Sequence, residues 1–146
     1  MPCAPRSIRS RRRSAAEVAV FAEAWFALGA AALRLKLLPF DKVMRARGPR
    51  ASGALASGEI DRLVWAVNAA RRRSWLRAMC IESALALRAM LTRRGVAATL
   101  HYGIRNDEDG KLKAHVWLST EGAVVIGGDS ADRFTEVATF ASPDSP

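Results

Sequence analysis

"RAMCIESALALRAMLTRRG", residues 77–95, holds the point at which the chain changes its periodicity. It reads as an amphipathic helix from about Met79 to Arg94. Gly95 stands where a left-handed C-terminal cap is wanted, directly after two arginines that suit the negative end of the helix dipole. Beyond it, in "VAATLHYGI", Val96, Ala98, Leu100, Tyr102 and Ile104 alternate with smaller or polar residues, the period of a half-buried strand. "NDEDGK" is a turn in which Asp109-Gly110 is the strongest hairpin signal, "LKAHVWLS" a second strand, "TEG" a second turn and "AVVIGG" a third strand. The following "DSADRFTEVATFASPDSP" is weakly patterned and then frays.

Upstream of the switch the pattern is helical. Residues 1–14 are basic and Ser/Pro-rich, a flexible arm. From about 15 to 38, Val18, Phe21, Trp25, Leu28, Ala32 and Leu35 recur at spacings of three and four and form one apolar stripe, which Pro39 ends. "DKVMRARGPRASGALASG" (41–58) has the composition of a linker. A helix follows from about Glu59 to Arg73, with Ser57 as its cap and Ile60, Leu63, Val64 and Val67 on one face. Helices followed by an antiparallel meander make an α+β fold. The expected organisation is one domain over 15–140, helical to about 95 and antiparallel strands to about 128, with a disordered tail over 141–146.

At 146 residues such a domain buries a core without metal or disulfides. The two cysteines, Cys3 and Cys80, do not suggest a bridge, because Cys3 sits in the arm; a reduced, cytoplasmic protein is expected. The net charge of +9 is uneven: residues 1–77 hold 16 Lys/Arg against 5 Asp/Glu, and residues 78–146 hold 7 against 9. The basic half attracts polyanions without choosing among them. A nucleic-acid-binding module is one alternative reading, but neither zinc spacing, aromatic-basic interleaving nor a recognition-helix signature accompanies the charge. Trp25, Trp65, Trp75 and Trp117 read as core or interface aromatics, and the arginines at 71–73 as a solvated helix end. The apolar run 18–33 is shorter than the roughly 20 residues of a membrane span and contains Glu23, so no stable membrane insertion is expected.

The chemistry-bearing residues lie in the nearly neutral half. A cysteine is a useful nucleophile as thiolate, and the first turn of a helix stabilises that anion; Cys80 is placed for this, with Arg77 close in sequence. The base must be His101 or His115. Lys113, His115, Trp117 and Ser119 share one face of their strand, and Leu112, Ala114, Val116 and Leu118 the other. With the aliphatic face in the core, His115 is left on the face that could meet the cysteine's helix, while His101 reads as a surface residue. A catalytic imidazole needs an acceptor on its second nitrogen. If the following hairpin has a three-residue loop, Thr120-Glu121-Gly122, then His115 faces Gly127 and Asp129 is its diagonal neighbour. With a two-residue loop, Glu121-Gly122, Asp129 points away. Zinc is not expected, since Cys80, His101 and His115 lack paired ligand spacing.

The order Cys80-Ile81-x-x-Ala84-Leu85-Ala86-Leu87, "LTRRG", a strand ending "YGI", "KAHVWL" and "GAVVIGG" resembles the transglutaminase-like leader peptidases of lasso-peptide biosynthesis, to which the C-terminal domain of the microcin J25 processing protein is related. The similarity covers roughly residues 60–140, and "LPFDKVMRARG" resembles the segment leading into that domain. The resemblance implies a papain/transglutaminase-like α+β fold, N-terminal helices packed on a small antiparallel sheet. It implies a cysteine protease that removes the leader from a ribosomally made precursor before a separate cyclase closes the ring. Cys80 maps to the nucleophile, His115 to the base and Asp129 to the acid, with Asp132 in reserve because Gly127 and Gly128 stand where some relatives carry it. Ser83 replaces a basic residue common in the family. The implied partners are the precursor peptide, a separate winged-helix leader-recognition protein docked on the basic half, and the lasso cyclase. No cofactor is expected, as nothing resembles a phosphate loop. One oxyanion donor is the Cys80 amide; the sequence does not identify the second. A catalytically silent interaction domain of the same fold is the remaining alternative.

Overall fold

The computed structural model describes residues 13–46, 48, 53–74 and 80–142. The basic arm up to residue 12, Trp75, Arg77 and the tail from 143 lie outside these. Four helices precede a four-stranded antiparallel sheet, the expected α+β order: α1 (Ala15–Leu37), α2 (Phe40–Met44), α3 (Ser57–Arg73), α4 (Cys80–Arg93), β1 (Thr99–Asn106), β2 (Leu112–Thr120), β3 (Ala123–Ile126), a 3₁₀ turn (Gly128–Arg133) and β4 (Thr135–Ala141).

Ser14 caps α1, accepting the Glu17 amide hydrogen bond at 3.2 Å. The buried face of α1 is not the expected stripe of large residues. Ala24, Ala27, Leu28 and Ala31 are buried, while Val18 is 55% and Trp25 37% exposed. The reason is spacing: α1 packs on α3 and α4, whose buried positions include Ala66, Ala69, Ala70, Ala84 and Ala86. Side chains this small let helix backbones approach closely. Glu23 closes the helical layer, pairing with Arg94 at 2.7 Å and Arg93 at 3.2 Å. At 23 residues α1 is also longer than the apolar run suggested, long and apolar enough to cross a membrane by length and composition alone.

Two features occupy segments expected to be irregular. The linker contains α2, whose C-terminal end is held by the buried Arg88 of α4: its guanidinium donates to the Met44 carbonyl at 2.7 Å and the Ala46 carbonyl at 3.2 Å. No carboxylate accompanies it among the described residues, and burial pushes its pKa down. For α3 the cap is Ala56 and not Ser57, which is helical and supplies no side-chain bond.

Gly95 takes the left-handed conformation at φ 73°, as its position after α4 required, and the Val96 amide bonds the Leu91 carbonyl. The sheet order is β3-β2-β1-β4. β4, in the segment expected to fray, pairs with the free side of β1, and Ser142 bonds the Ala98 amide and carbonyl just beyond it. Strands therefore extend to 141, not 128. The aliphatic face of the sheet, with Leu100, Val116 and Leu118, shares one core with Leu63 and Val67 of α3 and Leu87, Met90 and Leu91 of α4.

Candidate active site

The strand register decides where the imidazole stands. The β2–β3 loop is the two-residue Glu121-Gly122, both at positive φ (52° and 80°), so Thr120 faces Ala123 and Ser119 faces Val124. A bulge then shifts the pairing so that Leu118 meets Ile126. The three-residue loop is thus overturned, and β3 ends at Ile126 before it reaches His115. The face assignment also changes. Val116 and Leu118 meet α4, so His115 and Trp117 lie on the sheet's other face, and His115 reaches the cysteine's side at the strand edge that β3 leaves open.

Gly127 occupies that edge in the left-handed conformation, φ 77°. A Cβ there would come within 2.8 Å of the Val116 carbonyl oxygen, so only glycine lets the chain turn this close to β2. The turn brings the Gly127 carbonyl to the His115 ring, where Nε2–H donates to it at 2.7 Å. A carbonyl only accepts, so Nε2 carries the proton and, in the neutral ring, Nδ1 keeps the lone pair. The Ser130 hydroxyl lies 3.5 Å from the same Nε2. Trp117 and Phe134 fix the ring plane, with centroids 5.9 Å and 5.0 Å away. Gly103, opposite His115 on β1, leaves the room: a Cβ there would lie 2.8 Å from the Trp117 ring.

Cys80, the first residue of α4 and a free thiol, lines the same cavity as His115. The cavity has a volume of about 400 Å³. No hydrogen bond joins the two side chains; catalytic contacts of this kind are often long before substrate binds. Asp129 lines the cavity from the 3₁₀ turn, exposed, but makes no hydrogen bond to His115. The acceptor position expected for it is filled by the Gly127 carbonyl. Asp132 is exposed on the same turn and is not among the lining residues.

His101 is more than a surface residue. Nδ1 bonds Glu136 at 2.8 Å, Nε2 bonds Ser119 at 2.7 Å, and the ring stacks on Trp117 at 5.5 Å, so both ring nitrogens are engaged. Among the described residues, no cluster of three His, Cys, Asp or Glu side chains suits a metal. Sequence reasoning missed three polar residues of the helical wall: Asn68 and Arg71 of α3 and Ser83 of α4. Each sits at a position that reads as an ordinary polar face of a helix, and only the packing of α3 beside α4 turns them toward the thiol. No sequence signal distinguished them.

The free thiol, the histidine with one nitrogen anchored and the antiparallel sheet beside the cysteine's helix are the parts of an acyl-transfer site. No curated protein and no solved structure matches the chain. The family model of the transglutaminase-like superfamily matches residues 22–139, and the chain belongs to that superfamily.

Proposed function

We propose that this protein is a cysteine peptidase that removes the leader from a ribosomally made lasso-peptide precursor. Members of the superfamily generally act as cysteine peptidases or transglutaminases. The observation that carries the reading is the shared cavity of Cys80 and His115, the latter with its Nε2 committed to the Gly127 carbonyl.

In this reading Cys80 Sγ attacks the scissile carbonyl and its proton passes to Nδ1 of His115. The tetrahedral intermediate collapses, its C–N bond breaks, and His115 returns the proton to the leaving amine of the core peptide. Water, deprotonated by the same nitrogen, then hydrolyses the thioester to free the leader and the thiol. The Cys80 amide supplies one oxyanion donor. Of the expected Cys-His-Asp triad, Asp129 acts here as a charge at the cavity rim, and the Gly127 carbonyl holds the ring.

Leader recognition belongs to a separate winged-helix protein. α1 supports this with an exposed apolar line, Phe26, Leu33 and Leu37, beside the basic residues Arg34 and Lys36. A lasso cyclase takes the product, in the cytoplasm. The test is incubation of the protein with a lasso precursor and its recognition protein, read by mass spectrometry. Release of intact leader and core supports the reading. An uncut precursor, with Cys80 unlabelled by electrophiles, leaves the silent interaction domain.

A further inference from the structure

The cavity beside Cys80 has a second wall that the peptide-bond chemistry does not use. Asn68 and Arg71 lie three residues apart on α3, and Cys80 and Ser83 three apart on α4, so each pair shares one helix face and both faces line the same cavity. The Ser83 hydroxyl is only 2% exposed and has no hydrogen-bond partner. Buried polar groups are normally paired, and one left open onto a cavity wall marks a place where a ligand atom completes the bond. The Asn68 side chain also makes no hydrogen bond, and Arg71, at the exposed end of the wall, pairs with no carboxylate among the described residues. Asp129, the carboxylate lining the cavity from the opposite side, forms no ion pair with Arg71.

These groups share one chemistry. A guanidinium only donates, while a hydroxyl and a carboxamide NH₂ both can. What complements them is an acceptor, and the unmatched positive charge of Arg71 selects an anionic one. We infer that the helical wall formed by Asn68, Arg71 and Ser83 is a subsite for a carboxylate of the substrate, the side chain of an Asp or Glu close to the bond that Cys80 attacks. The inference rests on Cys80 being the nucleophile proposed above. Ser83 meets the carboxylate at the floor and Arg71 at the mouth.

The experiment compares alkylation of Cys80 in the full chain by iodoacetate, which carries a carboxylate, and by iodoacetamide, its neutral analogue. In both, the thiolate displaces iodide, and peptide mapping separates Cys80 from Cys3. The quantity read is the ratio of the two rates at neutral pH and low salt, with glutathione as the free-thiol reference. The wild-type ratio is expected to exceed that of glutathione by about tenfold, falling about fivefold in Arg71→Gln and two- to threefold in Ser83→Ala. His115 is present throughout, so these falls report the helical wall alone. Arg62→Gln, exposed on α3 away from the cavity, keeps the wild-type ratio. Ser83→Ala retains its melting temperature, since the hydroxyl has no partner to lose. Asp129→Asn raises the ratio by removing the facing negative charge. A wild-type ratio equal to that of glutathione, or a high ratio unmoved by Arg71→Gln, overturns the subsite and leaves the nucleophile standing. A Cys80 inert to both reagents overturns the nucleophile and the subsite with it.

Discussion

Gly127 holds His115. The hydrogen bond from Nε2 to its carbonyl oxygen, 2.7 Å long, depends on a residue whose φ of 77° and contact with the Val116 carbonyl leave no space for a side chain. A backbone oxygen thereby does the work of fixing tautomer and ring direction that a carboxylate does in many cysteine and serine hydrolases. It lacks the full negative charge that would stabilise an imidazolium.

This relationship ranks two substitutions. Gly127→Ala forces the turn away from β2 and is expected to lower leader-cleavage turnover by about a hundredfold or more, since a catalytic group displaced by about 1 Å costs that much. Asp129→Asn, which breaks no bond to the ring, is expected to cost less than about fivefold. Steady-state kinetics on both variants, with circular dichroism to verify folding, decides the ranking. A larger loss for Asp129→Asn would return the orienting role to the carboxylate.

The Glu23–Arg94 pair predicts a pH dependence of stability. Hydrogen bonding to the Arg94 guanidinium, reinforced by its charge and that of Arg93, outweighs partial burial and holds the Glu23 carboxyl below its usual range. A depressed carboxylate contributes stability above its unfolded pKa of about 4.3, and that stability is lost as pH falls through the folded value. Glu23→Gln should lower the melting temperature at pH 7 by about 3 °C, corresponding to roughly 1 kcal/mol. The difference from wild type should shrink below about pH 4. A constant offset from pH 7 to pH 3 would mean that packing, not charge, is what Glu23 supplies.

Arg88 predicts a stability effect of different origin. Its two bonds to the Met44 and Ala46 carbonyls fasten α2 to α4 in a buried place, so truncation leaves carbonyls unpaired and a void. Arg88→Ala should cost about 2–4 kcal/mol in denaturant unfolding. Arg88→Lys, with one head group for two acceptors, should cost less. Equal stability of all three proteins would show that the guanidinium contributes nothing net.

How far the residues alone revealed this molecule can be argued from particular elements. The change of period at Gly95 was legible because a left-handed cap, a helical pattern before it and alternation after it agree. The partnership of Cys80 with His115 was legible from residue chemistry and motif order, and the structure puts both on one cavity. β4 was not, because an edge strand in which Thr135, Glu136 and Val137 are all exposed carries little alternation. Nor was the face of His115: the bulge at Leu118/Ser119 alters the pairing by one residue, and strand parity makes such a shift reverse the facing. The buried face of α1 was misjudged because size was taken as the sign of burial, where close helix packing selected alanine. Asn68, Arg71 and Ser83 gain their meaning only from the juxtaposition of two helices.

The measurement that bears most directly on the central claim is precursor cleavage by wild type, Cys80→Ala and His115→Ala, side by side under saturating recognition protein, each shown to be folded. The account predicts loss of at least about a thousandfold in both variants, because nucleophile and base act as one unit. Cleavage at the wild-type rate by folded Cys80→Ala would contradict it.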